Sequence, residues 1–174
     1  AGEPGRVLVI GAGSGNDVSV ALHHGAASID AVEIDAHLLD LGGGHPDRPY
    51  DDARVTTHVN DGRAFIERSD DEWDTILLAL PDSLTLLQGN SSVRLESYLF
   101  TKEAVEAYRD RLAPGGVFSM YNYYREPWLV DRYAGTLEEV FGNAPCVDTV
   151  DNALSVLTVG VDADAVDCPP DNLW

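Results

Sequence analysis

Short apolar runs alternate with segments in which apolar residues recur at helical spacing along most of this chain. Arg6-Val7-Leu8-Val9-Ile10 is β-branched and stops at glycines, the pattern of a strand buried on both faces. Val18, Val20, Ala21 and Leu22 then predict a helix over 16–24, and Gly25 supplies its stop. A second strand is expected over 28–34, followed by a short helix over 36–41, Gly42-Gly43-Gly44 and a turn around Pro46 and Pro49. Residues 54–59 alternate like a third strand that Asp61-Gly62 breaks, and a helix over 63–68 leads to the most apolar strand, 73–80, ended by Pro81. Ala104, Val105, Tyr108 and Leu112 share one face of a helix over 101–112 with Thr101 as N-cap. Pro114-Gly115-Gly116 turns the chain into a strand over 117–121. A helix over 128–141 and a closing hairpin, 146–150 with 154–161, complete the pattern.

Strands alternating with helices imply right-handed crossovers, hence an α/β fold: a doubly wound, mostly parallel seven-stranded sheet with a C-terminal antiparallel hairpin. A length of 174 residues suits one domain, expected over 1–162, and residues 163–174 with Pro169-Pro170 read as a loosely attached tail. No apolar run reaches the ~20 residues that cross a bilayer, and no leader pattern opens the chain, so a soluble, cytoplasmic chain is expected. Cys146 and Cys168 are too few for a disulfide scaffold and agree with a reducing compartment.

A formal charge of −19 repels phosphate backbones and argues against nucleic acid as a partner. It would attract small cations, polyamines included, although a solvated acidic surface accounts for the charge without any partner. His23, His24, His37, His45 and His58 show no ligand spacing, and no metal site is expected.

The chemistry concentrates on one expected sheet edge. Gly11-Ala12-Gly13-Ser14-Gly15 joins the first strand to its helix, a turn that lets a ligand approach backbone closely. Glu33, followed by Ile34, ends the second strand about 20 residues on, where a carboxylate can accept from ribose hydroxyls. Asp61 with Gly62 ends the third strand, where it could meet an adenine amino group or simply cap the next helix. A nicotinamide dinucleotide competes for this loop, but its fingerprint places a glycine where Asn16 stands. Tyr121 and Tyr123 follow the fifth strand, as pocket lining or as packing.

Several segments in order resemble the spermidine synthase (polyamine aminopropyltransferase) family, within the class I methyltransferase-like fold. They are Val7 to Gly15, Ala31-Val32-Glu33-Ile34-Asp35, Asp51-Asp52-Ala53-Arg54-Val55 and Asn60-Asp61-Gly62-Arg63-Ala64-Phe65. Trp73-Asp74-Thr75-Ile76, Leu99-Phe100-Thr101-Lys102-Glu103 and Leu112-Ala113-Pro114-Gly115-Gly116 continue the series. The resemblance implies S-adenosylmethionine or its decarboxylated form as cofactor, with Gly11, Ala12, Gly13, Ser14 and Gly15 along its methionine-derived part. Glu33 and Ile34 would then meet the nucleoside, Asp61 and Gly62 the adenine, and a polyamine would be the acceptor.

This chain departs from the family at two acids: Ser14 and Ala79 stand where the family carries aspartates. Asp82, in Leu80-Pro81-Asp82-Ser83, remains as the candidate catalytic base. That run, with Arg94-Leu95 and Tyr98, is similar to a divergent branch whose members are often fused to membrane-spanning segments, so a cytoplasmic domain of a larger membrane protein is a further expectation. Family enzymes also carry a small β-rich domain ahead of the core, whereas the first core strand here starts at about residue 6. Aminopropyl transfer is the leading expectation. Methyl transfer to another acceptor and a non-catalytic nucleoside-binding domain are the alternatives, and a homodimer is left open.

Overall fold

Seven strands join into one sheet in the computed structural model, which describes residues 4–79, 95–124, 126–150 and 154–174. In chain order they are β1 (Arg6–Ile10), β2 (Ser28–Glu33), β3 (Val55–Val59), β4 (Trp73–Ala79), β5 (Leu112–Tyr123), β6 (Cys146–Val150) and β7 (Leu154–Gly160). The spatial order is β3-β2-β1-β4-β5-β7-β6. The first five strands in that order run parallel, while β7 lies antiparallel between β5 and β6. The expected doubly wound sheet with an antiparallel finish is therefore present, and the direction of winding reverses between β1 and β4.

The helices are α1 (Asn16–His23), α2 (Ala36–Leu41), α3 (Gly62–Arg68), α4 (Lys102–Asp110) and α5 (Pro127–Phe141). Successive strand residues point to opposite faces, so the unbroken run in β1 feeds two cores. Leu8 and Ile10 join Ile66 of α3, Tyr108 of α4 and Leu137 of α5 on one face. Val7 and Val9 pack with Val18 of α1 on the other. Thr101 caps α4 by accepting from the Ala104 N–H at 3.2 Å, as expected.

Three features differ from the sequence reading. First, β5 starts at Leu112, because Leu112 already pairs with Trp73 before Pro114-Gly115-Gly116; the ladder resumes at Thr75 and Val117 after a register irregularity. Second, Cys146 and Cys168 form a disulfide across 22 residues. Third, the expected loose tail is tied down. Leu173 bridges to Cys146, the Trp174 N–H donates to the Pro145 carbonyl at 3.1 Å, and the Trp174 indole reaches Asp131. Among the described residues no helix is long and apolar enough to cross a membrane.

Candidate functional site

The carboxyl ends of β1, β2 and β3 deliver three connections to one edge of the sheet, beside the reversal point where open α/β sheets bind ligands. The glycine loop leaves β1 with the Gly11 and Ala12 N–H groups both donating to the Val32 carbonyl, at 2.9 and 3.1 Å. Gly15 then opens α1 with φ 99°, a conformation that L side chains rarely adopt. A Cβ there would also lie 2.6 Å from the Pro49 ring, so glycine is required twice over. The backbone at Gly13 faces open space, since a Cβ would meet nothing nearer than the Gly11 carbonyl at 3.9 Å.

Glu33 sits beside this loop and is 6 % exposed. One carboxylate oxygen accepts from the Gly13 N–H at 3.0 Å and the other from the Asp35 N–H at 3.1 Å. Those bonds fix the carboxylate against the loop but use only part of its acceptor capacity, about four lone-pair sites. Ile34 follows it at 59 % exposure, and Val59 at the end of β3 is also exposed. A buried carboxylate with spare acceptor capacity, an apolar surface beside it and open backbone at Gly13 fit an adenosyl group with a ribose and a flat base.

Asp61 and Gly62 arrive at the same edge from β3. Asp61 caps α3, accepting from the Ala64 N–H at 2.8 Å, so the plain helix-cap reading of this residue is realised. Gly62 lies against β1: a Cβ would fall 2.3 Å from Ile10 Cγ2, and glycine is what allows α3 to start so close to the sheet.

A segment that the sequence reading passed over as a turn straps this loop from outside. Two short 3-10 turns, Gly42–Gly44 and Pro49–Asp51, carry the chain back over α1. The Tyr50 hydroxyl lies 2.8 Å from the Gly13 carbonyl and 3.1 Å from that of Ala12, both as acceptors. Ser19 donates to Asp47 at 2.6 Å, and His45 is bonded to Asn16 at 3.0 Å. Burial, with the negative charges of Glu33 and Asp17 adding to it, pushes the Tyr50 phenol well above its ordinary pKa, so it stays a donor. A proline before an aromatic residue is the sole local cue to this strap.

On the other side of the reversal point, Tyr121 of β5 donates to Asp17 Oδ2 at 2.8 Å. Asp17 belongs to the first turn of α1, and Tyr121 is in register with Ala79 at the end of β4. Burial raises the Asp17 carboxyl above the ordinary range, while the Tyr121 hydrogen bond pulls the other way. Tyr121 is pushed up by burial and by its bond to Asp17. Tyr123, two residues further along β5, is 61 % exposed. Asp82 lies outside the described residues. The structure thus gathers Gly11 to Gly15, Glu33, Ile34, Asp61 and Gly62 at one edge, adds Tyr50 and Asp17, and among the described residues groups no three His, Cys, Asp or Glu that could hold a metal.

Comparison with known proteins bears on this edge. The spermine/spermidine synthase domain matches residues 1–150. A polyamine aminopropyltransferase from Nitrosomonas europaea is 28% identical over 149 residues, which cover 81% of this chain and 43% of that protein. The chain thus spans less than half the length of that relative. Among solved structures, a spermidine synthase in complex with the transition-state analogue AdoDATO superposes with TM-score 0.70 at 21% identity, covering 97% of this chain and 57% of that one. Human methyltransferase-like protein 13 in complex with SAH gives TM-score 0.69 at 22% identity, covering 97% of this chain and 74% of that one. At those identities the two structures support the fold alone.

Proposed function

The chain belongs to the spermine/spermidine synthase family, and from that premise we propose that it binds decarboxylated S-adenosylmethionine and transfers the aminopropyl group to a polyamine. Glu33 carries this reading, as a buried carboxylate fastened to the glycine loop and to the residue after β2, with acceptor capacity left for two ribose hydroxyls. In this reading residues 1–162 form the binding unit. Gly11, Ala12, Gly13, Ser14 and Gly15 line the aliphatic chain of the ligand, Ile34 packs on the base, and Asp61 with Gly62 flanks its edge. The relatives that support the transfer are aminopropyltransferases by name, and a spermidine synthase of the same fold holds AdoDATO.

When bound, the sulfonium supplies an activated carbon: an amine lone pair forms the C–N bond, the C–S bond breaks toward sulfur to leave a neutral thioether, and the nitrogen sheds a proton. The protein's share is alignment. The Tyr50 strap and the Glu33 bonds hold the loop rigid before any ligand arrives, which lowers the cost of ordering it on binding. The acidic surface, with 30 acids against 11 bases, draws a polyamine toward the edge.

Calorimetric titration with decarboxylated S-adenosylmethionine, intact S-adenosylmethionine and methylthioadenosine tests the reading, alongside methylthioadenosine release in the presence of putrescine. Preference for the decarboxylated form with release of thioether is expected. Tighter binding of the intact form would move the assignment to methyl transfer. Binding without turnover would leave a nucleoside-binding domain, and no binding at high micromolar ligand would remove the reading.

A further inference from the structure

We propose that Asp17 is the carboxylate that receives the ammonium end of the ligand's aliphatic chain, with Tyr121 as the positioning residue that fixes its orientation. The inference rests on the adenosyl-binding reading of the glycine loop and specifies the far side of that site.

Asp17 stands two residues beyond the loop, in the first turn of α1, and the phenol that holds it comes from β5, 104 residues away. Because Tyr121 is in register with Ala79, the contact reaches across the end of β4, at the reversal point between β1 and its neighbour. An aliphatic chain leaving the glycine loop away from Glu33 runs toward this contact.

Among the described residues, charge at that place has few other sources: Ser14 in the loop is neutral, and Ala79 at the end of β4 is apolar and buried. Other described carboxylates of the edge are held by backbone donors, Glu33 by Gly13 and Asp35, Asp35 by His37 and Asp61 by Ala64, and Asp17 likewise accepts from its own N–H. The side-chain donor on Asp17 is a neutral phenol, which orients the carboxylate without neutralising it. A half-buried anion in that state gains most from an incoming cation, because the low local dielectric strengthens the attraction. Burial already pushes this carboxyl toward protonation, and a bound ammonium would offset that cost.

The test is the affinity of the full chain and of Asp17→Asn for three ligands. Decarboxylated S-adenosylmethionine carries both sulfonium and ammonium, 5′-deoxy-5′-(dimethylsulfonio)adenosine carries the sulfonium alone, and methylthioadenosine carries neither. Asparagine keeps the shape and can still accept from Tyr121. D17N should weaken the first ligand by about tenfold or more, the loss of one charge-assisted contact, and leave the other two within about twofold. Y121F should show the same selectivity at smaller size, and serves as the reporter should D17N fail to fold. Equal weakening of all three, or of none, overturns the assignment of Asp17 while the nucleoside site stands. Failure of the unaltered chain to bind any of the three overturns the underlying reading and this inference together.

Discussion

The two ends of the parallel sheet treat their charges in opposite ways. Toward the end where β1 and β4 begin, Asp30 of β2 accepts from the Trp73 indole at 2.9 Å, from His58 at 2.9 Å and from Arg6 at 3.2 Å. Burial alone would raise its carboxyl, but these donors bring it below the ordinary range. The disulfide is remote from the glycine loop in another direction, because Cys146 belongs to β6, at the opposite margin of the sheet from β2 and β3. At the carboxyl end, Asp17 has one neutral side-chain donor, and Ile34, Val59 and Tyr123 stand exposed. One end is closed by its own contacts and the other is left with capacity to spend on a ligand. Stability and binding should therefore be separable.

The sharpest way to break that comparison is to reduce the disulfide. Its 22-residue separation implies a loss of about 3 kcal/mol of stability, or roughly 6–12 °C in melting temperature for a chain of this size. Affinity for an adenosyl ligand at 25 °C should not move, and a shift in Kd would show that the two regions are coupled. Glu33→Gln is the converse experiment. It should weaken adenosyl ligands on the order of 100-fold, about 2.7 kcal/mol, with little change in melting temperature, because glutamine can still accept from one loop N–H. Equal effects on both readouts would make Glu33 a structural residue only. The smallest expected effect belongs to Asp30→Asn, about 1–2 kcal/mol at neutral pH with binding unchanged. Its sign is set by pH. A carboxyl whose folded pKa is depressed contributes fully above its unfolded value, 3.8, and loses that contribution as pH falls through the folded value. The unaltered chain should thus lose stability below about pH 4 more steeply than the variant, in thermal melts taken across that range.

The parallel half of the fold was legible because buried strands and amphipathic helices write their period into neighbouring residues. β1 and α2 fall where the pattern puts them, and β2 and α3 within a residue of it. The position of Glu33 was legible for the same reason, since the end of a strand can be read locally. The start of β5 was not, because Pro114-Gly115-Gly116 carries a turn signal, and only the pairing of Leu112 with Trp73 shows that the ladder began earlier. Tyr50 was missed because its partners are backbone carbonyls, which every residue has and no sequence distinguishes. Tyr121 had a plain local explanation as packing, and nothing in the local pattern singles out Asp17. Their contact depends on how far α1 leans over β4, which no local period encodes. The cysteines are brought together by the β6–β7 hairpin and the returning tail, so spacing alone concealed the bond.

The strap over the glycine loop has a consequence for transplantation. Gly11 to Gly15 owe their shape to Tyr50, Pro49 and the Asp47–Ser19 and His45–Asn16 pairs as much as to their own dihedral freedom. Moved alone into another scaffold, the pentapeptide would arrive without its clamp and relax into an ordinary strand-to-helix turn. The portable cassette runs from β1 through the second 3-10 turn, closing at Asp51, and anyone redesigning this edge inherits that whole piece as the smallest exchangeable part.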